Sequence, residues 1–331
     1  MATLKDIAKR AGVTATTVSR VINNRGYISE GTRKKVYAAM EEMHYQPNEL
    51  ARAFSKQYTN TIGLIVPHIS HPFFIKVISN LESSAAEKGF KLLLCNSKEQ
   101  PEKEQDYLDM CISNRVAGIV LCSKYVQTRE FRKMNIPVVN LERGGDDDTI
   151  SVQCDNYQGG KLAAEHLIEC GCKNLLHFGG VAGKDMPADR RADGFSDVCK
   201  KAGIPYRILV SDRLQYGSMH YEDFIRRALQ EFPDVDGIFA SSDLIASQVI
   251  QVGAQMGKRV PEDIQLIGFD DVMISTVTTP QITTIHQPVE EMTELCVEYI
   301  AKSLKNESVP QKIVLPVRLV QRGTTVLKTE I

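Results

Sequence analysis

Short apolar runs alternate with amphipathic stretches from Thr61 onward, and this alternation constrains the fold more than any other feature. The first half of this region contains the apolar runs TIGLIVP, FKLLLCN, VAGIVLCS and PVVNLE, separated by stretches with helical spacing. Buried runs of this length between helices are typical of a parallel sheet covered by helices. The pattern resumes after Asp155 with a second series of similar length, so we expect two α/β lobes, each built on a parallel sheet.

Several polar side chains follow the predicted strands directly. They are His68 and His71 after GLIVP, Glu142 and Arg143 after PVVNL, Asp243 after GIFASS, and Asp270 and Asp271 after LIGF. A ligand of such a protein binds between the lobes, at the carboxyl ends of the strands. Because each sugar hydroxyl is both a donor and an acceptor, carboxylate and guanidinium groups suit it, and the cleft is predicted to hold a polyol. We expect Asp243 and Asp271 to cap the helices that follow them instead.

The first 46 residues predict three short helices. Ile7, Ala8 and Ala11 form an apolar stripe at helical spacing, and Gly12 takes the turn that follows. Thr14 is expected to cap a second helix from about Ala15 to Ile22. On that helix Val18, Val21 and Ile22 should point inward, and Ala15, Thr16, Ser19 and Arg20 outward. A third helix is expected from the cap Ser29 to about Met43, which completes a helix-turn-helix head.

The segment after the head predicts one more short helix. Pro47 stops the preceding helix and Asn48 can cap a new helix of about eight residues, a length that is marginal in water on its own. Ala51 and Phe54, three residues apart, offer a small apolar face that suits a DNA minor groove. We therefore interpret this segment as a hinge that folds on DNA.

The charge of the chain is distributed unevenly. The first 58 residues carry ten Lys or Arg against five Asp or Glu, whereas the remaining residues carry 30 basic against 36 acidic ones. A basic module on a mildly acidic body is typical of a DNA-binding head joined to a sensor, because phosphate neutralisation supplies non-specific affinity.

Composition excludes several other classes of protein. The chain has 331 residues, which is enough for two or three compact units. No apolar run approaches the length of about 18 residues that a membrane span needs, and the N-terminus lacks a secretory pattern, so we expect a cytoplasmic protein without membrane contact. The eight cysteines, including the close pair Cys170 and Cys172, are interpreted as small buried residues rather than metal ligands.

The head resembles the DNA-binding domain of the lactose repressor (LacI/GalR) family. The residues that carry the resemblance are TLKDIAKRAGVTATTVSRVINN, TRKKV and YQPNELARAF. The resemblance implies that Ala15, Thr16 and Arg20 read base edges, and that Ala51 and Phe54 enter the minor groove, with Phe54 standing where the family usually has Leu. The complete set of expected DNA contacts is Thr3, Thr14, Ala15, Thr16, Thr17, Ser19, Arg20, Asn23, Asn48, Ala51 and Phe54.

The body is similar to the effector-binding core of the same family, which shares its fold with periplasmic sugar-binding proteins. Its markers are HPFF, DNYQGG, RRADGF, SSD, GFDD and TTIHQP. The resemblance implies Arg191 and Asp270 as the principal hydroxyl ligands. The remaining expected effector contacts are His68, His71, Phe73, Glu142, Tyr216, Ser242 and Gln287. His68, His71 and Ser242 stand where the family usually has Asp, Asn and Asn, and two imidazoles beside Arg191 suggest the hypothesis of a phosphorylated or acidic sugar.

The resemblance also implies the domain organisation: a small all-α helix-turn-helix head on an α/β core of two parallel-sheet lobes. We expect the head at 1–46 and the hinge helix with its linker at 47–60. The N-terminal lobe should comprise 61–157 and 289–316, and the C-terminal lobe 158–288 and 317–331. The final segment RGTTVLKTEI lacks the leucine heptads of a tetramerisation helix, so we expect a homodimer on a near-palindromic operator.

The sequence thus predicts a transcription regulator, expected to be a repressor, whose operator affinity is controlled by a sugar or sugar derivative. A free-standing uptake protein would leave the basic head unexplained, and the sequence holds no motif that requires catalytic residues, a cofactor or a metal. A regulator controlled mainly by a protein partner stays open as an alternative.

Overall fold

A computed structural model describes residues 2–23, 25–45, 58–123, 136–143, 149–181 and 186–328. The chain divides into two compact units, Met1–Asn60 and Thr61–Ile331, which we call the head and the core. The predicted hinge residues Asn48, Ala51 and Phe54 lie outside the described residues.

The head contains the three predicted helices, α1 (Leu4–Ala11), α2 (Ala15–Ile22) and α3 (Glu30–Glu42). Thr3 begins α1 with a capping box to Asp6, and Gly12 ends it in the left-handed conformation at φ 65°. The apolar faces of the three helices meet in a small core that includes Ile7, Val18 and Val36, each fully buried. The helix-turn-helix predicted from the spacing of these residues is therefore confirmed.

The first lobe of the core contains a six-stranded sheet. Its strands are β1 (Thr61–Val66), β2 (Lys91–Asn96), β3 (Gly118–Leu121), β4 (Val138–Leu141), β5 (Ile150–Cys154) and β11 (Lys312–Leu315). Their order is β11-β5-β4-β3-β1-β2, and every neighbouring pair is parallel. The helices of this lobe are α4 (Pro72–Glu87), α5 (Pro101–Ser113) and α12 (Val289–Ser303).

The second lobe repeats this architecture. Its strands are β6 (Leu175–Val181), β7 (Tyr206–Ser211), β8 (Gly237–Ala240), β9 (Gln265–Asp270), β10 (Thr283–His286) and β12 (Arg318–Val320). Their order is β12-β10-β9-β8-β6-β7, and only β12 pairs antiparallel. The helices are α6 (Asn156–Glu169), α7 (Arg190–Ala202), α8 (Arg213–Ser218), α9 (Glu222–Glu231), α10 (Asp243–Gln255) and α11 (Ile274–Val277), with a short 3-10 helix at Pro187–Asp189. The two predicted parallel-sheet lobes are therefore confirmed.

The chain passes between the lobes three times. It crosses after β5, where α6 packs on the sheet of the second lobe, after β10, where α12 packs on the sheet of the first lobe, and between β11 and β12. Three separate crossings form a hinge rather than a single flexible linker. The finer segment boundaries given above stay predictions.

Two glycines allow α6 and α7 to cross at very short range. A Cβ atom at Gly160 would overlap the carbonyl oxygen of Arg191, and a Cβ at Gly194 would overlap that of Tyr157. The glycines of DNYQGG and RRADGF therefore have a packing role, because only a residue without a side chain lets the two backbones approach this closely. The crossing fixes the start of α7, where Arg191 lies.

The expectation that Asp243 and Asp271 cap the following helices is wrong. Ser242 caps α10 by accepting the Ile245 N–H at 3.2 Å, which leaves Asp243 inside the first turn. Asp271 instead pairs with Arg322 at 2.6 Å and with His286 at 2.8 Å. Both carboxylates join distant segments, because Asp243 accepts from the Val272 N–H and the Thr284 hydroxyl, and Asp271 accepts from the Arg322 guanidinium, instead of from the local helix end.

The eight cysteines are free and buried. Among the described residues no group of His, Cys, Asp and Glu side chains is arranged to hold a metal ion. None of the described helices has the length and apolarity that crossing a membrane requires.

Candidate functional site

The core contains a cavity of about 140 Å³ lined by residues of both lobes. Many of the lining residues directly follow the carboxyl ends of parallel strands, as expected for an α/β protein. Eight of the nine effector contacts predicted from the sequence line it: His71, Phe73, Glu142, Arg191, Tyr216, Ser242, Asp270 and Gln287. His68 lies one layer away and contacts Tyr216, with ring centroids 5.4 Å apart. The structure thus brings the predicted residues together, and their roles as ligands stay a prediction.

Arg191 is buried, with only 6% of it exposed, and its side chain is held in a fixed orientation. Its Nε–H donates to Asn156 Oδ1 at 2.7 Å and Nη1–H donates to the Ser241 carbonyl at 2.6 Å. The guanidinium carbon lies 3.5 Å from the centre of the Phe269 ring. A guanidinium has five N–H donors, and among the described residues Arg191 donates to Asn156 and to Ser241 through two of them, which leaves donors for a ligand in the cavity.

Asp270 ends β9 in a left-handed backbone conformation at φ 107°, which is strained for a residue with a side chain. Its Oδ1 accepts a hydrogen bond of 2.6 Å from Gln287 Nε2. Burial raises the pKa of Asp270 to about 7, against the opposing effects of Arg191 and Gln287. Near neutral pH this carboxyl therefore exchanges between an ionised form, which only accepts hydrogen bonds, and a protonated form.

Gln287 offers a second acceptor beside Asp270. It is 1% exposed, and its Oε1 is buried without a hydrogen-bond partner among the described residues. A buried acceptor without a partner costs about 1–3 kcal/mol, so a ligand hydroxyl that donates to it would be favoured.

Asp243 supports the loop behind Asp270. Its Oδ2 accepts the Val272 N–H at 2.9 Å and its Oδ1 contacts Thr284 Oγ1 at 2.6 Å. Burial, reinforced by the charge of Asp270, raises the pKa of Asp243 well above its usual value. Through these two contacts Asp243 fastens the strained loop to α10 and β10.

His71 caps α4 with its Nδ1, which accepts the Phe73 N–H at 3.3 Å. Burial lowers the pKa of His71 to about 4, and the electrostatic effects of His68 and Arg191 act in the same direction. The ring is therefore neutral at pH 7. Because Nδ1 is the acceptor, the proton lies on Nε2, which can donate one hydrogen bond.

Glu142 uses both carboxylate oxygens within the protein. Oε1 accepts the Cys154 N–H at 2.5 Å, and Oε2 accepts Asn156 Nδ2 at 2.9 Å. Asn156, which sequence reasoning missed, therefore lies between Glu142 and Arg191. Its position in the marker DNYQGG was visible in the sequence, but the direction of its side chain was not.

Further lining residues were also missed by sequence reasoning. They include Phe74, Asp189, Ser211, Tyr221 and Ser241. Phe74 belongs to the marker HPFF, and Asp189 directly precedes RRADGF. Their nearness in sequence to predicted site residues could have identified them as lining residues. The others reach the cavity only through tertiary folding, which no local pattern encodes.

On the head, Thr16 and Arg20 are the exposed predicted contacts of α2. The Arg20 guanidinium lies against Gly26, where a Cβ atom would be 2.5 Å from Nη2. Ala15 is half-buried and packs on the small core of the head, so it is less outward than predicted. Thr16 and Arg20 are consequently the side chains of α2 best placed to reach a base edge.

The other predicted contacts of the head are engaged in local hydrogen bonds. Thr14 caps α2 by accepting the Thr17 N–H at 3.1 Å, and the two hydroxyls lie 2.9 Å apart. Asn23 Nδ2 donates to the Ser19 carbonyl at 2.8 Å. Thr3 Oγ1 lies 2.7 Å from Asp6 Oδ2. These residues hold the helix ends, where backbone N–H groups can still meet a phosphate.

A helix-turn-helix head joined to a two-lobed core with a ligand cavity defines a DNA-binding transcription regulator that is controlled by a small-molecule effector. Residues 3–48 match the model of bacterial regulatory proteins of the lacI family, and residues 164–325 match that of a periplasmic binding protein-like domain.

Two relatives and one solved structure extend the likeness over the chain. A ribose operon repressor from Halalkalibacterium halodurans is 34% identical over 98% of this chain and 97% of its own length. A sucrose operon repressor from Pediococcus pentosaceus is 35% identical over 97% and 98%. A periplasmic binding protein/LacI transcriptional regulator from Alkaliphilus metalliredigens, complexed with D-xylulofuranose, is 32% identical and covers 81% of this chain and 100% of its own, with a TM-score of 0.72. The chain belongs to the lacI family of bacterial regulatory proteins.

Proposed function

We propose that the chain is a repressor that binds a near-palindromic operator as a homodimer, and that its effector is an uncharged sugar. The observation that carries the proposal is the cavity between the lobes. There the polar groups of Arg191, Asp270 and Gln287 can hydrogen-bond to the hydroxyls of a sugar, beside aromatic side chains of the lining. The relatives support the same class of ligand, because their names refer to ribose and sucrose operons and to bound D-xylulofuranose.

The chemistry of the cavity suits a sugar. Arg191 supplies donors, ionised Asp270 and the Gln287 Oε1 supply acceptors, and neutral His71 supplies one further donor. Phe73 and Tyr216 line the cavity as apolar surfaces for the face of a sugar ring. A site of this kind discriminates strongly, because a ligand that lacks a hydroxyl leaves a buried polar group without a partner.

The hypothesis of a phosphorylated or acidic sugar finds no support in these charges. His71 is neutral and therefore adds no positive charge. Among the described lining residues, Arg191 is the only Lys or Arg, and four carboxyl groups share the cavity: Glu99, Glu142, Asp189 and Asp270. A phosphate would be repelled by the excess of negative charge, so we expect the uncharged sugar to bind more tightly.

The head supplies the affinity for DNA. It is basic, and α2 presents Thr16 and Arg20 on its exposed face. Sugar-driven movement of the lobes would be transmitted to the heads through the hinge residues Asn48, Ala51 and Phe54, which lie outside the described residues. A coupling of about 1–3 kcal/mol would change operator affinity about 5- to 150-fold. Since bacterial operator DNA lies in the cytoplasm, we propose that location for the protein.

Control by a sugar is favoured over control mainly by a protein partner, because the relatives' names point to sugars. We also propose that the protein catalyses no reaction. The family consists of regulatory proteins, and Glu142 of the cavity uses its carboxylate to hold Asn156, which orients Arg191.

The effector is tested by calorimetric titration of the full-length protein with D-ribose, sucrose, D-xylulose and D-ribose 5-phosphate. We expect one uncharged sugar to bind and the phosphate ester to bind more weakly than D-ribose. Arg191→Ala should abolish binding, whereas Arg190→Ala should not, because Arg190 is exposed and pairs with Asp193. Tighter binding of the phosphate ester, or equal binding by Arg191→Ala, would contradict the proposal.

The operator is identified by selecting fragments from a pool of random duplex DNA at about 0.15 M salt, with and without the sugars. We expect a near-palindromic sequence, since two heads related by a dimer axis read two half-sites. Selection of an asymmetric sequence would contradict the dimeric arrangement.

A further inference from the structure

Asn156 lies where the chain leaves the first lobe for the second. It is the first residue of α6 and follows β5 by one residue, and only 3% of it is exposed. The start of α6 is already capped by Asp155, whose Oδ1 accepts the Gln158 N–H at 2.9 Å. The side chain of Asn156 is therefore not needed to begin the helix.

The amide of Asn156 joins the two lobes instead. Its Nδ2 donates to Glu142 Oε2 at 2.9 Å and to the Cys154 carbonyl at 3.2 Å, both in the first lobe. Its Oδ1 accepts the Nε–H of Arg191, in the second lobe, at 2.7 Å. Both ends of the amide are thus engaged, and a hydrophobic or purely accepting side chain of the same size would lose at least one contact.

Each partner is fixed on its other side as well. Glu142 has a positive φ of 50° and its Oε1 accepts the Cys154 N–H. Arg191 is fastened to the Ser241 carbonyl and lies over Phe269. A movement of Arg191 would therefore be transmitted through Asn156 to the end of β4, rather than be absorbed by free rotation.

We propose that Asn156 is a positioning residue, which orients Arg191 for the effector and links it to Glu142 across the crossing between the lobes. The inference rests on the proposed function, because it assigns a regulatory route to the same cavity. An effector that contacts Arg191 then changes how the two lobes lie relative to each other, because the Asn156 side-chain amide links Arg191 to Glu142.

The first test needs no sugar. The Arg191 Nε–H of the full-length protein is observed by nitrogen-resolved NMR, with its signal assigned by its loss in Arg191→Lys. We expect its exchange with solvent to be at least about tenfold faster in Asn156→Ala, because the acceptor is gone. Asn174→Ala, at an exposed position, is the matched control and should leave the rate unchanged. An unchanged rate in Asn156→Ala would overturn the inference.

The second test exchanges the two groups. Asn156→Asp places a second carboxylate beside Glu142, so at pH 8 we expect a lower midpoint of thermal unfolding and about tenfold weaker binding of whichever probe sugar (D-ribose, sucrose or D-xylulose) the wild type binds. The double variant Asn156→Asp with Glu142→Gln again has one amide and one carboxylate, now at exchanged positions. We expect its midpoint of thermal unfolding to recover and its affinity for the sugar to lie within about threefold of the wild type. A merely structural role of either residue alone would make the double variant worse than either single variant, and that result would overturn the link.

The two proposals fail in different ways. If the wild type binds none of the three sugars, the proposed effector class is wrong, while the exchange rate and the thermal midpoints still decide the role of Asn156. If the sugar binds and Asn156→Asp binds it normally, the effector cavity stands and the role of Asn156 is refuted.

Discussion

Asp270 and Asp243 show how burial separates the roles of two carboxyl groups in one site. Burial raises the pKa of both, but Asp270 also faces Arg191 and Gln287, which oppose the rise and hold its pKa at about 7. Asp243 holds a loop through the Val272 N–H and the Thr284 hydroxyl, whereas Asp270 can ionise when a ligand offers hydroxyl donors. Because the folded pKa of Asp270 exceeds its unfolded value, its contribution to stability is lost as pH rises through about 7.

Sugar binding should have the opposite dependence on pH. If hydroxyls donate to the ionised form of Asp270, only that form binds, and with a pKa of about 7 the affinity at pH 6 should be about tenfold lower than at pH 8. His71, with its pKa of about 4, stays neutral throughout this range. Calorimetric titration at the two pH values measures the difference. Asp270→Asn should bind the sugar weakly at both pH values. If the wild type binds the sugar more weakly at pH 8 than at pH 6, the protonated carboxyl is the binding form.

Arg20 is the corresponding residue on the head. It is exposed near the end of α2 and is not one of the described residues that form the head core. Arg20→Ala should weaken binding to the selected operator by about 1–3 kcal/mol while leaving binding to random DNA little changed. Lys34→Ala is the charge-matched control, since its exposed side chain pairs with Glu30 on α3. Fluorescence anisotropy with the two duplexes separates these effects, and equal losses in both variants would argue against base reading by Arg20.

At the scale of helices and strands, the sequence predicted most of the architecture. The alternation of apolar runs and amphipathic stretches is sufficient for the central parallel strands, such as β3, β4 and β8, because they are buried on both faces. The edge strand β7 carries half-exposed residues such as Val210 and gives a weaker signal. The links through Asn156 and Asp243 were not predictable, because each joins side chains whose distance depends on where the lobes and loops finally lie.

The crossing of α6 and α7 was also hidden in the sequence, although both glycine motifs were visible. Gly160→Ala should destabilise the protein by at least about 1–3 kcal/mol, because its Cβ would overlap the Arg191 backbone. Gly217→Ala is the control, since no atom lies within 4 Å of its Cβ position in α8, and it should be neutral or slightly stabilising. Urea unfolding of both variants measures the difference. A neutral Gly160→Ala would mean that the helices can separate without cost.

At the scale of the whole molecule, the head and the core are separate compact units, so an influence of sugar on DNA binding has to act from one unit on the other. Such an influence exists only if the sugar binds the two states of the protein with different affinities. Burial of Arg191 and Asp270 at 6% and 4% exposure favours a difference, because a cavity this enclosed must change when the lobes move.

Thermodynamic reciprocity gives the test of this coupling. The bound sugar changes the dissociation constant of the operator by some factor. The bound operator must change the dissociation constant of the sugar by the same factor. We expect a factor of about 5 to 150 in both directions, measured by anisotropy of a labelled operator with and without sugar and by calorimetry of the sugar with and without operator. Asn156→Asp should reduce both factors together if Arg191 acts through the lobe crossing. Unequal factors would show that a third equilibrium, such as dissociation of the dimer, takes part, because two linked binding sites alone cannot produce them.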